Sequence, residues 1–205
     1  MKRKALASTE TKILQAAELL FIKNGFKATT IRNIAQAAHV NVALINYHFR
    51  SKENLYKELI SNKVELLYTL LDSIQHDTSL RGFEKLEVFI DRYAELIYAN
   101  TMIPRLIMRE MTMESDIAQW FIVEKLKPAF SKIHHIVQEA IADGSLRNDI
   151  DISVLLPSII ANIIFNAVAA PALKMLFKKK PSELLQSKER IEEIKHVIYF
   201  GIKKI

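Results

Sequence analysis

From Thr9 to Asn24 the apolar residues Ile13, Ala17, Leu20 and Phe21 recur at the spacing of one helical face, with Ser8 or Thr9 able to cap the start and Gly25 closing the far end. Thr29 or Thr30 can cap a short second helix through Ala37, with Ile31, Ile34 and Ala35 facing inward. After a tight break, Asn41 can cap a third short helix to Tyr47 or His48. Ser51, with Glu53 in the turn behind it, then opens a long fourth helix past Leu71. Further apolar stripes predict helices at about 82–100, 102–113, 115–143, 151–177 and 182–203, and no strand-like alternation stands out. Pro104, Pro128 and Pro181 belong in first turns or connections, whereas Pro157 and Pro171 fall inside an apolar segment and should bend it or mark its ends.

Composition sharpens this picture into an all-α chain. Only 4 glycines and 5 prolines interrupt 205 residues, and half the residues are hydrophobic, enough for a real core. Residues 1–60 hold 10 Lys and Arg against 4 Asp and Glu, while the rest holds 19 of each, so the net charge of +6 is entirely N-terminal. A basic head on a neutral body fits a polyanion-binding module, the alternative being a merely basic surface. No stretch has the layout of a secretory signal, and cysteine is absent, so a cytoplasmic protein is expected.

Residues 30–49 have the layout of a helix-turn-helix: two short helices with apolar inner faces and a turn near His39. If Val40, Ile45 and Phe49 face the core, then Val42, Ala43, Leu44, Asn46 and Tyr47 are left on the outer faces of the third helix, the surface that enters a major groove. An asparagine amide at position 46 can pair with adenine N6 and N7, and Val42, Ala43 or Leu44 can meet a thymine methyl, which predicts an A/T-containing half-site. Plain solvent exposure is the alternative for Asn46. The Lys2-Arg3-Lys4 tail is as well suited to solvation as to phosphate contact, so it is left out of the site.

Taken with Ile13, Ala17, Phe21, Gly25 and Phe26 before it and Ser51-Lys52-Glu53-Asn54-Leu55 after it, this segment resembles the N-terminal DNA-binding domain of the TetR family, over residues 9–60. The resemblance implies that Tyr47, His48 and Lys52 touch the DNA backbone and that Thr30 donates to a phosphate. A lysine in the first turn of the fourth helix suits a phosphate clamp, because backbone N–H groups already point outward there. Two positions depart from the family pattern. His39 stands where many members have glycine, in a turn that needs a left-handed residue. Asn46 stands where many have tyrosine, which makes it unsafe to copy base contacts from other members.

The expected architecture is an N-terminal three-helix helix-turn-helix domain at residues 1–50 and a C-terminal helical bundle at 51–205 for ligand binding and dimerisation. Ile152 to Leu173 is uncharged and long enough for a membrane span, but Ser158, Asn162 and Asn166 form a polar stripe and two prolines interrupt it, so a buried assembly helix is expected and no membrane partner. Ile159, Ile160, Ile163 and Val168 form one apolar face that should meet the core or another subunit. Ile191, Ile194, Val197, Ile198 and Ile202 form another, with Glu189, Glu192, Glu193 and Lys195 on the polar side. Pairing the last two helices across a two-fold axis makes a homodimer, as the resemblance also implies, and predicts a palindromic operator on double-stranded DNA.

The resemblance further implies a small-molecule effector held in the bundle, with a repressor released by it. Met108, Trp120, Phe121, Asn162, Phe165 and Asn166 are candidates for a soft apolar lining with a few polar groups, or are simply core. Arg105 and Arg109 are candidates to hold a carboxylate, or pair with Glu110 or Glu114. No cofactor, metal or catalytic residue is expected. There is no glycine-rich phosphate loop or nucleophile elbow, His134 and His135 diverge by about 100° on a helix, and Glu193 with His196 is an isolated pair. The rival reading is a helical ligand-binding or assembly protein that no longer binds DNA.

Overall fold

The computed structural model describes residues 2–99, 102–112, 115–178 and 188–202. In chain order the helices are α1 (Lys2–Ala28), α2 (Ile31–Ala38), α3 (Val42–Phe49), α4 (Lys52–His76), α5 (Gly82–Ala99), α6 (Met102–Met111), α7 (Asp116–Phe121), α8 (Lys127–Ala142), α9 (Ile152–Val168), α10 (Ala170–Phe177) and α11 (Lys188–Ile202), with no β-strand among the described residues. The side chains of Lys2, Arg3, Lys4, Glu110, Glu114 and Ile202, and Pro181 as a whole, lie outside the described residues.

Local chemistry accounts for the head. The Thr30 hydroxyl accepts from Asn33 N (3.1 Å) while Asn33 Oδ1 accepts from Thr30 N (3.2 Å), a reciprocal cap at the start of α2. Asn41 Oδ1 accepts from Ala43 N at 2.9 Å to start α3, and Ser51 Oγ accepts from Asn54 N at 3.0 Å to start α4. Between α2 and α3, His39 takes the left-handed conformation (φ 54°, ψ 45°) expected of the turn. Gly25 interrupts α1 at φ 81°, ψ 170°, a region open in practice to glycine alone.

Apolar side chains gather in two clusters. One joins Ile13, Ala17 and Phe21 of α1, Ile34 and Ala35 of α2, Ile45 and Phe49 of α3, and Leu55, Tyr56 and Leu59 of α4. Each of the larger ones contributes about 2 kcal/mol by leaving water. Ile117 and Phe121 of α7 enter the same cluster. The second cluster is built from the end of α4 (Leu71, Ile74) and from α5, α8 and α9, with α11 packed on it through Ile191 and Ile198. α4 thus belongs to both clusters, and α6 touches α1 on one side and α9 on the other.

The expected helix at 115–143 is two helices joined by a π-helical turn at Ile122–Leu126. Pro128 in the first turn of α8 has no N–H to give. The Tyr68 hydroxyl donates to the Lys125 carbonyl at 2.8 Å. The segment at 151–177 also breaks: Pro157 lies within α9, while Pro171 sits in the first turn of α10, after a bend of 71°. No single described helix is long and apolar enough to cross a membrane.

The apolar face of α9 turns into its own core, with Ile159 and Ile163 at 0% exposure. Lys195, expected on the polar side of the last helix, is instead 8% exposed and clamps α11 onto α5, its Nζ 3.0 Å from Asp91 Oδ1 and 2.6 Å from Glu192 Oε1. Helix periodicity alone missed this because a lysine stem can lie in an apolar seam while its ammonium reaches carboxylates at the rim.

Candidate nucleic-acid interface

α3 is held from behind and open in front. Ile45 and Phe49 are 0% and 3% exposed, anchoring one side of the helix in the head cluster. Asn46 and Ala43 on the other side are exposed, Tyr47 is 73% exposed, Leu44 38%, and Val42 is half-buried at the first turn. This is the division expected from the sequence except at Val42, which was expected on the outer face and is half-buried against the head cluster. It sets Ala43, Leu44, Asn46 and Tyr47 on one outward surface. A surface cavity of about 680 Å³ adjoins it between α1 and the turn, lined in part by Lys12, Gln15, Leu19, His39, Asn41 and Leu44.

Thr30 is exposed at the N-terminus of α2, where free N–H groups and the helix dipole favour an anion, although its own hydroxyl is already engaged with Asn33 Oδ1 at 2.5 Å. Lys52 is spent differently from the expectation. Its Nζ donates to the carbonyls of Phe26 (2.9 Å) and Thr29 (3.0 Å) and lies 4.3 Å from the Phe26 ring centroid. The ammonium therefore braces the connection from α1 to α2, with one proton left over for a phosphate. Replacing Lys52 by methionine is expected to lower stability by about 2 kcal/mol, since hydrogen bonds from a charged donor are lost at two part-buried carbonyls. Urea unfolding reads this, and a change below about 0.5 kcal/mol would mean that the brace is idle.

His48 is the clearest departure. Its side chain is 9% exposed and turned into the head, with Nδ1 3.9 Å from Glu10 Oε2 of α1. The imidazole is not on the outer surface where a direct backbone contact would require it. Sequence reasoning missed its neighbour Glu10, because nothing in the sequence spacing of the two marks them as a pair.

The ligand candidates are dispersed. Phe121 is 1% exposed in the head cluster, and Trp120 packs beside it with the ammonium groups of Lys57 and Lys125 at 5.3 and 5.7 Å from its ring. The Arg109 guanidinium lies directly on Gly25, in the space a Cβ there would need. Phe165 is 63% exposed. Asn162 and Asn166 meet each other, Nδ2 of Asn166 donating to the Asn162 carbonyl at 2.7 Å. Arg105 is half-buried and Met108 36% exposed on α6, which borders α9. Among the described residues no group of three or more His, Asp or Glu could hold a metal ion.

A capped two-helix unit with a left-handed turn and an outward-facing second helix, on an otherwise helical body, defines a helix-turn-helix DNA-binding regulator. The sequence model of bacterial regulatory proteins of the tetR family matches residues 13–59. The chain is 31% identical over 158 residues, 73% of each protein, to the transcriptional repressor KstR2 of Mycolicibacterium smegmatis. It belongs to the TetR family. Among solved structures, a Clostridium perfringens protein described as a fatty acid metabolism regulator superposes with a TM-score of 0.78 at 25% identity, over 95% of this chain and all of that one. The ketosteroid transcriptional regulator KstR2 of Mycobacterium tuberculosis superposes with a TM-score of 0.73 at 20% identity, over 96% and 95% of the two chains. These relatives are transcriptional regulators rather than enzymes.

Proposed function

We propose that this regulator is a repressor in which residues 1–50 form the DNA-binding head and residues 51–205 the effector-binding and dimerising body. Val42, Ala43, Leu44, Asn46 and Tyr47 read the major groove, and Thr30 and Lys52 meet phosphates. The observation that carries the reading is the exposure of Tyr47 and Asn46 on a helix whose opposite side is locked in the core. A second copy of the chain is the partner: Val154 and Phe165 on α9 and Val197 on α11 are large apolar residues 62–67% exposed on two helices that touch. Such a homodimer sets two recognition helices about 34–36 Å apart and calls for a palindromic operator.

The effector is a small molecule bound by the body. Arg105, Met108, Asn162 and Asn166, on the adjoining helices α6 and α9, are the candidates for its lining, whereas Arg109, Trp120 and Phe121 serve the head junction and Phe165 the dimer face. An apolar effector with an acidic end suits Arg105, and the fatty acid description of the Clostridium perfringens protein is in keeping with that class. Because α6 touches both α1 and α9, an effector that favours one position of α6 shifts the spacing of the heads, by no more than its difference in affinity for the two states.

Selection of purified protein against a pool of random duplexes at several salt concentrations tests the reading. A palindrome bound with steep salt dependence is expected. No enrichment above background from a folded dimer, with or without added acyl ligand, would favour a ligand-binding protein that has lost its operator.

A further inference from the structure

The recognition helix ends abruptly. Arg50 N still bonds to the Asn46 carbonyl at 3.0 Å, so α3 is helical up to that nitrogen, but Ser51 N turns back to the Phe49 carbonyl at 2.7 Å. With Arg50 at φ 65° and ψ −40°, this three-residue loop is a γ-turn of the rare, strained kind, whose central residue has a positive φ. His39 also has a positive φ, but its ψ of 45° puts it in the ordinary left-handed well. Neither neighbour of Arg50 can take over the reversal: Phe49 is 3% exposed in the head cluster, and Ser51 caps α4 through Asn54 N.

Glycine adopts such a backbone without steric penalty, whereas an arginine there costs stability. In return the arginine places a free charge beside the outer face of α3. Arg50 is exposed, and its guanidinium has no ion pair or hydrogen bond among the described residues. The Lys52 ammonium, two residues on, is by contrast held by the Phe26 and Thr29 carbonyls. The Arg50 α-carbon, seven residues beyond Ala43, continues the outer row of α3 that carries Asn46 and Tyr47.

We propose that Arg50 is a further DNA contact of the head: the strained turn holds its guanidinium at the end of the recognition helix, where it takes a phosphate of the operator backbone. A planar fork of N–H donors suits a phosphodiester, two of whose oxygens it can meet at once. A phosphate contact carries no base information, so Arg50 sets affinity and register while the outer residues of α3 set sequence.

The inference rests on the DNA-binding reading above. Affinity for a selected duplex and for an unrelated one is measured from about 50 to 200 mM salt, together with the urea midpoint, for the wild type, Arg50→Gln, Arg50→Gly and, as a control, Arg147→Gln. Arg50→Gln keeps the demand on the backbone and removes the charge. It is expected to bind both duplexes about tenfold more weakly, with a salt slope shallower by about 0.9 and an unchanged midpoint. Arg50→Gly should show the same loss and slope with a raised midpoint, because relief of the strain outweighs the freer unfolded chain. Arg147→Gln, the same loss of charge in the connection after α8, should match the wild type. Arg50→Gln within about twofold of the wild type at an unchanged slope overturns the proposal alone. So does a loss confined to Arg50→Gly, which would place the effect in the freedom of the turn, or one confined to the selected duplex, which would make Arg50 a base reader. A lowered midpoint in Arg50→Gly overturns the strain on which the proposal stands. No binding by the folded wild type overturns the DNA-binding reading and this proposal with it.

Discussion

Replacing Asn46 and Tyr47 together by alanine is expected to weaken binding to a selected operator by about 100-fold or more while leaving the unfolding midpoint nearly unchanged. Both side chains are exposed, and neither belongs to the head cluster. The backbone bond from Arg50 N to the Asn46 carbonyl, 3.0 Å long, does not depend on either side chain. Alanine is the best helix former, so α3 keeps its propensity. A bidentate asparagine contact is worth about 1–3 kcal/mol of base discrimination, and loss of the tyrosine adds to it through the backbone. Fluorescence anisotropy at fixed salt reads the change. A double variant within threefold of the wild type would remove the outer face of α3 from the interface.

Gly25→Ala is expected to destabilise the protein by about 2–3 kcal/mol, most of it backbone strain. At φ 81°, ψ 170° an alanine Cβ is disfavoured whatever surrounds it, and here it also meets the Arg109 guanidinium. The end of an arginine can swing away cheaply, so the two contributions separate in a double-mutant cycle. Gly25→Ala in an Arg109→Ala background should recover only a minor part of the loss. Full recovery would place the cost in the side-chain clash, and a single-variant loss below about 0.5 kcal/mol would mean that the glycine conformation is not required. The outcome bears on function as well, because Arg109 belongs to α6 and Gly25 to the head.

Thr30, Asn41 and Ser51 were legible as caps because a cap is a bond between a side chain and an N–H two or three residues on. The left-handed turn at His39 was legible for the same reason: two short apolar faces leave only a few residues in which the chain can reverse. The reciprocal bond from Asn33 could have been read from its three-residue spacing to Thr30, with asparagine standing where glutamate or glutamine is usual. The outward set on α3 also followed from periodicity, once Ile45 and Phe49 were assigned to the core.

Other features depend on residues far apart in the chain. Lys52 reaches back 26 residues to the Phe26 carbonyl, a bond that exists because α4 crosses the end of α1. His48 turns inward, where it meets Glu10 of α1. Phe121 read equally well as pocket lining or as core, and only the docking of α7 against the head resolved the choice. Likewise the apolar face of α9 was equally suited to its own core or to a partner, until α5 and α8 covered Ile159 and Ile163 and left Val154 and Phe165 outside.

The sequence by itself determined the helices, their caps, the helix-turn-helix and the basic head, because hydrogen bonding within a turn, periodicity and net charge act over a few residues or by simple summation. Only the tertiary structure decided the work of Lys52, His48, Arg109 and Phe121. A cation, an imidazole or an aromatic ring serves several partners equally well, and how the helices cross selects which of them it meets.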